Sequence, residues 1–358
     1  MKKYSKILAP LAITGLFFAS TNMFAGNPDR AGQAGATELL INPWARNTGW
    51  GGSNVAGCRG LESSFLNIAG TAFTRKTELL FCRTNWLKGT DININAFGLT
   101  QRVGETGALG LSVMSMDFGD IPITTVDNPE GGIGTFSPQF INIGLSYAKG
   151  FSDNIYGGLA LKVISEKTAN VAARGIAFDA GIQYVAGKHN QIKFGISLKN
   201  VGPRMKFSGD GLSMKATIPG STNGTTYTVE NRAAAFELPS LLNIGAGYDF
   251  YLKKDSASMK THRITAMGAF TSNSFEKDQF HVGVEYAWKN MLMLRAGYTY
   301  EKDITNKDKR TTVFTGPSAG FTVELPFGKN KSTFALDYSY RATDPFQGTH
   351  SIGARINL

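Results

Sequence analysis

Apolar and polar residues alternate one by one through much of this chain. Ile141, Ile143, Leu145 and Tyr147 fall on one face of an extended segment, and Asn142, Gly144 and Ser146 on the other. The same period recurs in Ile192, Phe194, Ile196 and Leu198, and in Phe280, Val282, Val284, Tyr286 and Trp288. Phe334, Leu336, Tyr338 and Tyr340 repeat it, and so do Ile352, Ala354, Ile356 and Leu358 at the end. A two-residue period with one apolar face marks strands. Fourteen such stretches can be written, and the connections between them alternate in length. Short ones fall at Val103–Gly107, Gly150–Asn154, Ala186–Asn190, Lys253–Lys260, Trp288–Asn290 and Phe327–Lys331. Long ones fall at Gly119–Ser137, Ser165–Val171, Gly202–Phe236, Thr271–Asp278, Lys302–Arg310 and Ala342–Gln347. Membrane barrels have tight periplasmic turns and larger external loops, whereas a soluble sandwich has no reason to sort them. The pattern predicts an all-β fold, a transmembrane antiparallel β-barrel of about 14 strands, with lipid on the apolar face.

Aromatic positions support this. With the first strand running outward, Tyr147, Tyr184, Tyr248, Phe250, Tyr286 and Trp288 end strands at the inner boundary. Tyr298, Tyr300, Tyr338 and Tyr340 end strands at the outer one. Two interfacial girdles result. Two segments slip phase. In Asp91–Gln101, Phe97 and Leu99 fall on the nominally polar face, and in Leu109–Phe118 Met114 and Met116 do. An apolar lumen beside these strands, or a bulge, is expected there.

Composition narrows the class further. The chain has 358 residues, only 18% of them charged, and no run after the N-terminus long and apolar enough for a membrane helix. Residues 1–25 read as a signal peptide: Lys2, Lys3 and Lys6 precede the apolar stretch Ile7–Ala19, with cleavage after Ala25. Losing those three lysines lowers the net charge from +10 to +7. The remaining basic residues are scattered, so nucleic acid is not an expected partner, whereas lipid and lipopolysaccharide of the outer membrane are. Cys58 and Cys82 are the only cysteines. Both a bridge and two buried free thiols are open, and burial is the commoner state of a thiol.

Residues 26–77 do not alternate. Leu39, Leu40, Ile41, Trp44, Phe65 and Leu66 demand burial, and the neighbouring glycines permit close approach to a wall. An internal plug followed by a barrel over 78–358 is expected. Ala45-Arg46, then Gly49-Trp50-Gly51-Gly52 and Val55-Ala56, then Asn67-Ile68-Ala69-Gly70, resemble the N-terminal signature of the PorV/PorQ family. These are FadL-like outer-membrane proteins of Bacteroidetes, in which a proline usually stands where this chain has Ile68. The resemblance implies a plugged 14-stranded barrel working in type IX secretion, with the translocon and secreted cargo proteins as partners. Arg46, Gly49, Gly51, Gly52, Asn67 and Gly70 are the plug-motif residues so implied.

Chemistry is sparse. His189, His262, His281 and His350 are isolated, without metal-ligand spacing, and there is no Gly-x-Ser-x-Gly elbow. No cofactor, metal site or catalytic set is expected, and the protein reads as non-enzymatic. The loop Gly202–Phe236 is far longer than an ordinary connection. Its middle, Pro219–Thr228, is rich in Ser, Thr and Gly, and Met205, Phe207, Leu212 and Met214 at its edges are candidates for partner binding. Two functions follow from different classes: a component of type IX secretion, or a FadL-like channel taking hydrophobic small molecules through a kinked wall.

Overall fold

The computed structural model describes residues 26–217, 226–252, 261–327 and 332–358. The signal segment, the connections over 253–260 and 328–331, and most of the long loop's centre lie outside the described residues. Within them no helix is long and apolar enough to cross a membrane. Strands do the crossing. They are β1 (Thr77–Asn85), β2 (Asn93–Val103), β3 (Gly107–Asp117), β4 (Gln139–Gly150), β5 (Ile155–Thr168), β6 (Val171–Ala186) and β7 (Ile192–Val201). The second half holds β8 (Leu241–Tyr251), β9 (His262–Asn273), β10 (Gln279–Trp288), β11 (Leu292–Glu301), β12 (Phe314–Phe327), β13 (Ser332–Thr343) and β14 (Thr349–Asn357).

Each strand pairs antiparallel with the next, and β1 pairs with β14 from Glu78↔Asn357 to Asn85↔His350. The result is a closed 14-strand antiparallel barrel. Closure leaves no edge, so the ladder satisfies its own backbone groups without help from solvent. The exterior is apolar, as the alternation requires: Leu159 is 67% exposed and Ile352 60%. Tyr147, Tyr184, Tyr248, Phe250, Tyr286 and Trp288 stand on that exterior toward one end, and Tyr300 toward the other. Inside lie Asn142, Lys162, Asp179, Gln183, Lys193, Asp249, Glu285, Arg295, Asp337 and Arg355.

Three expectations need correction. Ser165–Val171 is not a long connection. β5 and β6 run on to Thr168 and from Val171, joined by Ala169 and Asn170, and span 14 and 16 residues. The polar residues there belong to strands, and Glu166 points inward from one of them. In β2 the residues facing inward are Ile94 and Ala96, while Phe97 faces lipid and Leu99 shares its side. Both faces of β2 are apolar, so alternation alone could not orient it. In β3 Met114 and Met116 do face inward, as the slip predicted. No bulge causes this, since β1, β2 and β3 pair without a break. Register shifts occur elsewhere, at Phe178/Ala180 between β6 and β7 and at Phe314/Ser318 between β12 and β13.

The third correction concerns the long loop. It turns back on the barrel, with Phe207↔Ala173 and Ser208↔Ala172 paired to β6 and Met205↔Phe236 closing the base. Met205 is 1% exposed and Phe207 packs beside it, so neither is open to a partner. Leu212 is half-buried. Met214, 55% exposed, lies on a hairpin pairing Ser213–Thr217 with Thr226–Glu230. This hairpin and the connections Gly119–Ser137 and Lys302–Arg310 share the end of the barrel opposite Ala186–Asn190. An epitope inserted in Lys302–Arg310 is expected to be labelled on intact cells. One inserted in Ala186–Asn190 is expected to need permeabilised cells, and reversed labelling would invert the barrel.

Candidate functional site

The segment before β1 lies inside the barrel. It contains many small and polar residues and forms only short turns: Thr37–Leu40, one α-turn at Ala45–Gly49, Asn54–Ala56, Gly60–Phe65 and Ile68–Phe73. Each turn meets a different sector of wall. Ala45–Gly49 packs on β12, β13 and β14; Asn54–Ala56 on β7, β8 and β9. Gly60–Phe65 meets β1, β2 and β3, and Ile68–Phe73 meets β3, β4, β5 and β6. Leu39 and Trp44 are fully buried, Phe65 and Leu66 nearly so, and Leu40 and Ile41 half-buried.

The motif residues carry this docking. Asn67 donates to the carbonyls of Val55 and Ile182, each at 3.1 Å, and accepts from the Ala69 amide at 3.2 Å. One side chain therefore ties two plug turns to β6. A Cβ added at Gly70 would lie 2.2 Å from the Cys58 carbonyl oxygen, so only glycine fits that approach within the plug. Gly181 of β6 is its counterpart on the wall, where a Cβ would lie 2.1 Å from Asn67 Oδ1. Gly49 approaches Gly320 of β12, and Ser318 donates to its carbonyl at 3.3 Å. Gly51 and Gly52 form a left-handed turn whose Gly51 carbonyl accepts from His281 Nδ1 at 2.7 Å and Thr299 at 2.9 Å. Arg46 Nη2 rests 3.6 Å from Met293 Sδ, in the field of Glu285 and Glu62.

Ion pairs join the plug to the wall at one point and brace the wall itself elsewhere. Arg355 of β14 reaches Glu62 of the plug at 3.0 Å and Glu324 of β12 at 3.1 Å. Glu285 is held by Arg263 and Arg295, both at 3.1 Å. Lys162 pairs with Asp179 at 2.6 Å, Lys193 with Asp249 at 2.7 Å, and Lys199 donates to the Phe65 carbonyl at 2.5 Å. Sequence spacing could not reveal these pairs, because the partners lie on different strands or, for Glu62 and Phe65, in the plug.

One sector of the lumen is different. Leu80, Cys82, Ile94, Ala96, Met114 and Met116 of β1, β2 and β3 make an apolar strip against Trp44, Leu61 and Phe65 of the plug. Half-buried Trp86, Ile92, Phe118 and Phe140 continue it to the outward strand ends. Cys58 and Cys82 are unpaired thiols in separate clusters. Burial pushes the Cys58 thiol up to about 12, so it stays protonated. Among the described residues no group of three or more His, Cys, Asp or Glu could hold a metal.

No protein-family model and no curated protein matches the chain. Solved structures do. The Pseudomonas putida toluene transporter TodX is 12% identical, with 88% of this chain and 97% of that chain covered and a TM-score of 0.52. The Ralstonia pickettii toluene transporter TbuX and the CymD monoaromatic hydrocarbon channel are each 13% identical, with the same coverage and a TM-score of 0.50. At such identity the likeness concerns the fold, which is that of FadL-like outer-membrane barrels. With its apolar exterior and closed ladder, the chain is a protein of the outer membrane. The PorV/PorQ kinship expected from the plug motif is not among these likenesses.

The plug makes a wall glycine testable. Gly181→Leu is expected to displace Asn67 while leaving the ladder intact, because the new side chain points into the lumen. In planar bilayers the native protein should pass little ion current, and Gly181→Leu or deletion of residues 26–68 should pass more. Large steady conductance from the native protein would show that the segment does not seal the lumen.

Proposed function

We propose that this chain is a FadL-like outer-membrane channel that admits small hydrophobic molecules. The apolar strip on β1, β2 and β3 is the observation that carries this reading. Porin lumens are polar, and most of this one is polar too. Along this sector, however, apolar side chains run from Trp86, Ile92, Phe118 and Phe140 at the outward end down to the plug. Met114 and Met116 are flexible and polarisable, which suits them to solutes of varied shape. Channels of the same fold that are described as carrying toluene and monoaromatic hydrocarbons support the substrate class.

Reconstituted protein should raise entry of a monoaromatic hydrocarbon over empty vesicles and leave glucose entry unchanged. Met116→Asp is expected to lower that entry about tenfold or more, since an unpaired charge in the strip costs at least about 1–2 kcal/mol. Unchanged entry in a variant that inserts normally would remove the strip as the route.

A second reading is favoured by the plug motif and by the hairpin carrying Met214 and Tyr227, both well exposed. In it the protein is a type IX secretion component that binds translocon or cargo proteins at its outer end. Removing residues 213–230 should then leave barrel abundance unchanged but abolish co-purification of partners from native membranes. Secretion that continues normally in that variant would exclude the hairpin as the working surface.

A further inference from the structure

The lipid-facing wall changes character near the outward ends of β5 and β6. Ile176, Phe178, Ile182 and Tyr184 of β6 face lipid, and the next residue on that side toward the rim is Arg174, which is exposed. On β5 the same side carries Leu159, Leu161 and Val163, then Ser165, then exposed Lys167. In the loop segment Met205–Ser208, Met205 and Phe207 pack inward, which leaves Lys206 and Ser208 exposed on the lipid side.

The ladder brings these three cations together. Lys167 pairs with Ala172 and Ser165 with Arg174, so Lys167 and Arg174 are diagonal neighbours. Phe207 pairs with Ala173 and Ser208 with Ala172, and one step along the same register puts Lys206 opposite Arg174. Side chains so placed on one face have Cβ atoms about 5–8 Å apart, and like charges there repel. Among the described residues none of the three forms an ion pair. The acids nearby are engaged or turned away. Glu166 points inward, and Glu237 is shared by Arg30 at 3.1 Å and Arg204 at 2.6 Å. Asp210 sits over the Ala169–Asn170 tip, on the turn whose Gly211 donates to the Asn170 carbonyl.

Depth points to the occupant. Tyr184 belongs to the inner girdle, and Arg174 stands ten residues further along the same face of β6. At about 3.3 Å per residue and a strand tilt of about 40°, this is about 25 Å along the membrane normal, the height of the apolar band of such barrels. The cations therefore lie where hydrocarbon gives way to headgroups on the outward side.

We propose that Lys167, Arg174 and Lys206 bind the phosphates of one lipid A-type molecule, the phosphorylated disaccharide lipid of the outer leaflet. Its acyl chains lie on Val163, Ile176 and Phe178. Cations bordering an apolar wall suit a ligand that carries anion and hydrocarbon in one molecule. Arginine meets phosphate through two parallel N–H donors, and lysine adds a point charge. Three cations exceed what the single phosphate of a phospholipid needs, whereas two phosphates on a disaccharide span them. Exposed Gln139, opposite Lys167, and Ser208 supply neutral hydrogen-bonding groups for the sugar. Bound in this way, the lipid ties the long loop to β5 and β6, whatever the lumen carries.

The test uses the intact mature barrel in detergent, with diphosphoryl lipid A, its dephosphorylated form and phosphatidylglycerol as probes. Native mass spectrometry should find one diphosphoryl lipid A retained per chain, and added salt should weaken its binding. Lys167→Gln, Arg174→Gln and Lys206→Gln combined should weaken binding about tenfold or more, through the loss of three charge-assisted contacts. Lys215→Gln, Arg232→Gln and Lys309→Gln combined remove the same charge from exposed positions elsewhere on the outward end and should leave binding unchanged. Heat-modifiable gel migration checks that both variants fold. The site is refuted if the native barrel retains no lipid A, or if the first variant binds it as the native protein does. Equal binding of the dephosphorylated form would show a hydrocarbon contact only. Equal binding of phosphatidylglycerol would show a diffuse attraction to any anionic lipid, and either result overturns the proposal. Hydrocarbon entry plays no part in these readouts, so the channel reading stands or falls separately.

Discussion

Hydrocarbon offers no hydrogen bonds, and the pairing of β1 with β14 is where this chain meets that constraint. Every other neighbour in the ring is also a neighbour in sequence, whereas this one joins residues such as Glu78 and Asn357. Without it, β1 and β14 would each present a row of unpaired amides and carbonyls to lipid, at several kcal/mol per group. Because the ring must close, the exterior must be apolar, and the polar half of each strand has nowhere to go but inward. The contents of the lumen follow from that.

A lumen lined by Lys162, Lys193, Glu285, Arg295 and Arg355 has to be solvated or paired. A barrel of 14 strands is too wide for its own side chains to meet at the centre. The chain supplies the missing matter as residues 26–76, which form the protein's interior much as a core fills a soluble domain. Their attachment is mostly directional. Asn67 on Ile182, Gly51 on His281 and Glu62 on Arg355 each specify one position of the plug. Buried ion pairs contribute little net stability beside apolar contacts, but removing one partner strands the other at a cost of about 3–5 kcal/mol. Such contacts hold the plug in one register rather than adding greatly to its stability.

Much of this architecture could be read in the residues themselves. Alternation placed the strands, loop lengths sorted the two ends, and aromatics marked both interfaces. Errors arose where the local signal has two meanings. In β2, Ile94, Ala96, Phe97 and Leu99 are all apolar, so the side that meets lipid is decided by β1 and β3 and by Leu61 of the plug. Near Ser165, polar residues were expected in a turn, yet Glu166 is polar because it faces the lumen. Met205 and Phe207 were apolar enough to suggest a docking surface, and they do dock, but on their own barrel. The motif glycines were visible as small residues, while the atoms they approach, Gly320 for Gly49 and Cys58 for Gly70, could not be. Nothing in spacing links Lys167, Arg174 and Lys206. Only the ladder and the return of the long loop to β6 bring them together.

The apolar strip and the plug are not independent parts. Trp44, Leu61 and Phe65 fill the strip, and the same short stretches carry Asn47, Glu62 and Ser64 into polar contacts. Trp44 itself donates to Ser64 at 3.1 Å while packing edge-on against Phe65, 6.0 Å between ring centres. On the channel reading, a solute moving along the strip would have to displace aromatic side chains whose backbone is pinned by Arg355 through Glu62. Passage would then be coupled to plug movement by geometry, since the apolar path and its obstruction share residues. Apolar contacts in the strip are interchangeable with those a hydrophobic solute would make, because both bury similar surface. The polar attachments are not interchangeable in this way. On that reading a hydrophobic molecule would compete for the strip's face of the plug and leave its charged face attached, so the plug would yield along the β1–β3 sector first.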